Sequence, residues 1–146
     1  MTDLEEGMYR LTIGDLFIDN LSSKELADGV NLAIYPNTPQ YQQAAKIMYL
    51  NEERFEVEKR FREYLWTECS FLKKEGLLFA DNQQAVDKLK EYLPKDIFPK
   101  ASYDWYIKAM HPEIREVWGD YIKKIVETIY KINRPVTQKV RLTKIE

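Results

Sequence analysis

Between Pro39 and Gly76 the chain contains neither glycine nor proline. A stretch of that length without a backbone breaker is hard to fold as anything but helix. Tyr41, Ala44, Ala45, Met48, Phe55, Phe61, Leu65 and Leu72 recur within it at largely helical spacings, so one long helix over 39–75 is expected, with these residues on its apolar face. Thr38 is placed to cap its start, with Pro39 at the first helical position, where a missing N–H costs nothing. Gly76 is the natural stop.

Shorter helices follow. Asp81 with Gln84 reads as a capping signal before Ala85, Val86, Leu89 and Tyr92, and Pro94 ends that helix. Pro94 and Pro99 are expected to bracket a rigid loop, after which Ser102 caps a short helix running to Met110. Pro112 opens a further helix whose Ile114, Trp118, Tyr121, Ile122, Ile125 and Ile129 make an apolar stripe, closed by Pro135.

The two ends read as strands. Tyr9, Leu11 and Ile13 alternate with Met8, Arg10 and Thr12, the period-2 pattern of a half-buried strand. Gly14-Asp15 suits a two-residue II′ turn, giving a β-hairpin over 8–19. Ser22, Glu25 and the Leu21–Leu26 pair form a capping box with a hydrophobic staple, and Gly29 closes the short helix they start. Val136, Val140 and Leu142 share one strand parity, and the hairpin is the obvious partner. The expected fold class is therefore α+β and helix-dominated: a small antiparallel sheet made of the N-terminal hairpin and the C-terminal strand, with one long helix and two to three shorter ones.

With 146 residues, 45% of them hydrophobic, the chain is long enough to bury a core of its own, and residues 1–146 read as a single domain. Lys and Arg total 22 against 24 Asp and Glu, a formal charge of −2, which supplies no cationic field for a nucleic acid partner. Cys69 is the only cysteine, so an intrachain disulfide framework and a cysteine-rich zinc site are excluded, and it is expected to serve as a small apolar helix residue. Met1-Thr2-Asp3-Leu4-Glu5-Glu6 is acidic where an export signal begins basic, and no segment has the ~18 apolar residues of a membrane span.

The pieces Gly7-Met8-Tyr9-Arg10-Leu11-Thr12-Ile13, Leu26-Ala27-Asp28-Gly29-Val30-Asn31-Leu32-Ala33 and Thr38-Pro39-Gln40-Tyr41-Gln42-Gln43-Ala44 occur in an order and at separations that resemble the C-terminal region of GDSL/SGNH hydrolase-family proteins, the lipases and esterases. The resemblance is carried by the first third of the chain. Ile13-Gly14-Asp15 departs from it, standing where that pattern runs Ile-Asp-Gly, and the helical stretch of roughly 68–132 is longer than such tails carry. It begins a few residues from Met1, as though the chain were cut from something longer. It implies a catalytic SGNH domain as partner, in the same chain or in another protein, and an extracytoplasmic (periplasmic or secreted) location for the parent.

The family's chemistry cannot be carried onto this chain. Gly14-Asp15 is followed by Leu16 where the nucleophile motif has serine, and leucine has no oxygen to activate. The family's acid and base lie in Asp-x-x-His, whereas His111, the only histidine, has Lys108 three residues before it. Asp104 and His111 are seven apart, far for a direct hydrogen bond, and Pro112 makes His111 a boundary residue. Glu52, Glu53, Glu56 and Glu58 alternate with Arg54, Lys59, Arg60 and Arg62, and the Glu56–Arg60 and Glu58–Arg62 spacings are those of a solvated, ion-paired helix face. One histidine cannot furnish a di-metal carboxylate bundle. No catalytic, cofactor-binding or metal-binding residue is assigned and no cofactor is expected.

Tyr103, Trp105, Tyr106, Trp118, Tyr121 and Tyr130 concentrate in the last third and are expected to fill core. If some of Tyr103, Trp105 and Tyr106 face outward around the Pro94–Pro99 loop, they form an amphipathic patch suited to a neighbouring domain or a glycan. The reading that follows is a non-catalytic C-terminal accessory domain, or a fragment, of an SGNH/GDSL-type ester hydrolase that packs on the catalytic domain. The alternative is a free-standing helical module that binds a protein or a glycan. An enzyme built on His111, Asp104 and nearby tyrosines is the remaining possibility.

Overall fold

A computed structural model describes residues 3–145. The elements run β1 (Met8–Ile13), β2 (Leu16–Ser22), α1 (Ser23–Asp28), α2 (Pro39–Ser70), α3 (Gln83–Tyr92), α4 (Ile97–Ala109), α5 (Pro112–Ile132) and β3 (Val140–Lys144), with short 3₁₀ turns at Leu32–Ile34 and Leu72–Glu75. The fold is the expected helix-dominated one with a small antiparallel sheet. The chain divides into two compact units. One holds the chain up to Tyr49 together with the chain from Ile129 onward, and the other is Leu50–Thr128.

The first unit is built on a sheet of order β2-β1-β3, both pairings antiparallel. At the hairpin turn Gly14 takes the positive φ of 60° and Asp15 does not, the pattern of a II′ turn, which glycine adopts without a Cβ penalty. β2 runs on to Ser22, beyond the expected hairpin end at 19. A bulge between Leu11 and Thr12 shifts the register, pairing Leu11 with Asp19 but Thr12 with Phe17. The extra residue switches the parity of β2, so Ile18 and Leu21 both join Tyr9, Leu11, Ile13 and Leu26 in the core. The Ser22–Glu25 capping box is formed in full. The C-terminal strand pairs with β1 as expected, but it begins at Val140, so Val136 lies outside it and is exposed.

In the second unit the C-terminal half of α2 turns Val57, Tyr64, Thr67 and Glu68 inward. This overturns the apolar face expected from the sequence: Tyr41, Met48, Phe55 and Leu65 are exposed. In that stretch tyrosine, threonine and glutamate supply the buried positions, so hydropathy alone picks the wrong stripe. The Thr38 hydroxyl caps α2 by accepting from the Tyr41 N–H at 3.3 Å. The α-helix ends at Ser70, short of Gly76, because Phe71 (φ −118°, ψ −62°) breaks its geometry and lets Phe71 and Leu72 both enter the core. Gly76 still closes the following turn, in the left-handed region.

Three other boundaries differ from expectation. Asn82, not Asp81, caps α3, its side chain accepting from the Ala85 N–H at 3.0 Å. Asp96, not Ser102, caps α4. Pro99 therefore sits in the first turn of α4, where its missing N–H is harmless, and the loop after Pro94 is shorter than Pro94–Pro99. Ser102 is buried inside α4, accepting from the Thr67 hydroxyl at 2.9 Å and donating to the Phe98 carbonyl at 3.2 Å. Pro112 opens α5 as expected, with Trp118 and Ile125 buried but Ile114 and Tyr121 exposed.

Replacing Asn82 by alanine removes one helix cap and is expected to lower unfolding stability by about 1 kcal/mol, measured by urea titration.

Candidate functional site

Glu68, on α2, is fully buried. Its Oε2 accepts from the Phe79 N–H at 2.6 Å, and its Oε1 reaches no hydrogen-bond partner. Burial holds its carboxyl above the usual carboxylate range; the Phe79 N–H opposes the rise, the nearby Asp81 charge adds to it and the Arg115 charge opposes it. Asp81 lies beside it, accepting from the Tyr64 hydroxyl at 2.9 Å and pairing with the Arg115 guanidinium at 2.9 Å. Arg115 also donates to the Ala109 carbonyl and lies over the Tyr64 ring at 4.9 Å. Tyr106 stacks on Tyr64 at 5.8 Å, and its own buried hydroxyl reaches no partner. Burial first, and the adjacent carboxylates second, push both phenols well above the ordinary tyrosine range.

This cluster closes on the segment joining α2 to α3. Phe79 and Asp81 both sit at positive φ, 54° and 47°, a conformation that costs a side-chain-bearing residue roughly 1 kcal/mol or more and persists only where neighbours fix it. Glu68 fixes the backbone of Phe79, while Tyr64 and Arg115 fix the side chain of Asp81. Glu68 and Tyr106 are fully buried, Asp81 and Arg115 are partly exposed, and the cluster clamps the chain between α2 and α3. Sequence reasoning missed it, giving Asp81 a capping role and leaving Glu68 and Arg115 unassigned. The available signal was the Tyr64–Glu68 spacing of four on one helix.

The sequence candidates do not come together. Asp104 and His111 are both exposed, and no hydrogen bond joins them among the described residues. Glu58 pairs with Arg62 at 3.8 Å as the spacing suggested, and with Arg54 at 2.6 Å. Arg60 turns away from Glu56 and lies over the rings of Trp105 and Trp118 at 5.2 and 5.4 Å. Tyr106 is buried and Tyr103 and Trp105 are partly so, packed against the core as expected, so these three rings do not form an outward patch. The open aromatic surface lies elsewhere, at a groove of about 580 Å³ lined by Arg62, Glu63, Trp66, Phe98 and Ala101. Cys69 is exposed on α2, not packed as expected. Among the described residues no three His, Cys, Asp or Glu side chains are grouped so as to hold a metal ion, and no helix is long and apolar enough to cross a membrane.

Residues 45–134, more than half of the chain, match the family described as the diltiazem deacetylase C-terminal helical domain. The chain belongs to this family. The matched segment takes in most of α2 and all of α3, α4 and α5, including every residue of the Glu68 cluster. Among solved structures, a gut microbial diltiazem-metabolizing enzyme is similar at 42% identity and a TM-score of 0.90. That likeness covers 97% of this chain but 32% of the enzyme, so the chain spans about a third of the length of that relative. No curated protein matches the chain.

Replacing Glu68 by alanine removes the acceptor of the part-buried Phe79 N–H and is expected to cost about 1 kcal/mol. Glu68→Gln keeps an acceptor and removes the titration. Because the folded-state pKa of Glu68 is raised, its contribution to stability is complete below the ordinary glutamate range and is lost as pH rises through the folded value. Glu68→Gln should therefore gain stability relative to the native chain between acid and neutral pH in paired urea titrations; a parallel pH dependence of the two proteins would refute the assignment.

Proposed function

We propose that this chain is a non-catalytic C-terminal accessory part of a larger ester hydrolase of the SGNH/GDSL type, and that it packs on the catalytic domain. The observation that carries the reading is the match over nearly all of this chain to only a third of a drug-metabolizing enzyme. A family named for the C-terminal helical domain of a deacetylase supports it. So do the motifs at 7–13, 26–33 and 38–44, which lie outside the matched segment and resemble the C-terminal region of SGNH hydrolases.

The site chemistry supports the non-catalytic assignment. General-base activation of a hydroxyl or thiol needs a base within hydrogen-bond reach of the nucleophile, and His111 is exposed at the start of α5, with no partner for its side chain among the described residues. The parent would remove an acetyl group from an ester such as diltiazem, with the nucleophile, acid and base supplied from outside this chain. The clamp around Glu68 gives the helical unit a fixed shape to present to that neighbour. A free-standing interaction module is the second reading, favoured by the open Trp66–Phe98 groove, where the rings lie 5.5 Å apart.

Purified by itself, the chain is expected to hydrolyse p-nitrophenyl acetate and diltiazem no faster than a denatured control. Saturable turnover would overturn the reading. The gene sequence immediately upstream separates the two alternatives: an open frame reaching a Gly-Asp-Ser and an Asp-x-x-His segment supports the accessory part, and an in-frame stop supports the free-standing module.

A further inference from the structure

The sheet of the first unit has two edges, and they differ. The β2 edge meets the following segment of its own chain: the Asn37 amide donates to the Phe17 carbonyl at 2.9 Å and the Tyr35 hydroxyl to the Asp19 carboxylate at 2.8 Å. No such bond lies along the outer edge of β3 among the described residues.

The register identifies which groups of β3 are left open. The Gly14 N–H donates to the Lys139 carbonyl at 2.8 Å and the Ile145 N–H to the Met8 carbonyl at 2.9 Å. Arg141 and Thr143 lie between these points, opposite Thr12 and Arg10. In an antiparallel ladder the backbone groups alternate in direction. Residues 139, 141, 143 and 145 therefore bond to β1, and the N–H and C=O of Val140, Leu142 and Lys144 point to the open side.

The side chains at this edge are also incompletely covered. Val140 and Leu142 lie opposite Ile13 and Leu11, both buried. Leu142 is only partly buried against that core, and Val140 is 50% exposed. Lys144 pairs with Glu5 at 2.8 Å, whereas Lys139 and Arg141 have no ion-pair partner among the described residues. Two copies of β3 meeting edge to edge would bring these cations together, a repulsion by which edge strands avoid self-pairing. An incoming strand that carries carboxylates meets no such barrier.

We propose that the open edge of β3 accepts an extended, acidic segment of the catalytic portion of the same enzyme. Its backbone pairs with Val140, Leu142 and Lys144, its apolar side chains cover Val140 and Leu142, and a carboxylate faces Arg141. This rests on the accessory-part reading above. The two thirds of the related enzyme that this chain does not match is the source from which such a segment comes. Strand addition of this kind draws affinity from main-chain hydrogen bonds and selectivity from alternate side chains.

The test compares amide hydrogen exchange at 140, 142 and 144 in the chain alone and in the full-length enzyme. Exchange at these positions is expected to slow by about tenfold or more in the full-length enzyme, while the amides of 141 and 143 are protected in both. Val140→Pro removes only an outward N–H, which an edge strand tolerates, so the chain alone should keep its melting temperature while losing about tenfold or more in affinity for the separately expressed catalytic portion. Arg141→Glu should weaken the same association. Equal exchange in both proteins, or binding unchanged by both substitutions, overturns the edge proposal and leaves the accessory-part reading standing. Protection that grows with the concentration of the chain alone would mean self-pairing and also overturn it. Ester hydrolysis by the chain alone, or a gene without a catalytic portion, removes the accessory-part reading and this proposal together.

Discussion

The passage from α2 to α3 is held by a carboxyl group that water does not reach. Glu68 takes the Phe79 N–H, and this one bond sits at the centre of a segment whose Phe79 and Asp81 are both left-handed. A strained backbone needs neighbours that over-determine it, and the helices converge to supply them: Tyr64 and Glu68 from α2, Tyr106 from α4, Arg115 from α5. The arrangement fixes where α3 begins, and hence where Ala85, Val86 and Leu89 enter the core beside Leu72. Burying an acid is costly unless it is neutral or paired. Glu68 answers with a raised pKa, whereas Asp81 keeps an arginine beside it.

The same economy of polar groups separates the two units. In the helical unit some buried polar side chains meet one another, as Thr67 and Ser102 do across α2 and α4, while Glu68 Oε1 and the Tyr106 hydroxyl reach no partner. In the sheet unit the core is apolar, and the polar groups at stake are those of the backbone. β1 pairs on both sides and β2 meets Tyr35 and Asn37, whereas no such bond lies along the outer edge of β3 among the described residues. The sheet unit leaves the β3 edge unpaired among the described residues.

The family match and the sequence resemblance fall on different parts of the chain. The SGNH-like motifs lie in 7–44 and the helical-domain match in 45–134, so the two observations rest on different residues. The long helical stretch noted in the sequence lies within the segment that matches the family.

Much of the architecture was legible in the residues. The Gly14-Asp15 turn, the Ser22–Glu25 capping box, Thr38-Pro39 at the start of α2 and Pro112 at the start of α5 are local signals, because each is decided by the φ and hydrogen-bonding preferences of a few consecutive residues. Strand parity also paired the C-terminal strand with the hairpin. What failed were the inferences that depend on distant neighbours: the buried face of α2, the role of Asp81 and the place of Ser102. Hydropathy ranks Leu65 above Glu68, yet the core took the glutamate and left the leucine outside. A buried carboxyl is tolerable only where a particular N–H is waiting for it, and that N–H belongs to a residue eleven positions away in a loop. The sequence by itself determined where helices and strands start and how the ends pair; only the tertiary structure decided which faces are buried, because burial of a polar group depends on a partner that the local sequence does not specify.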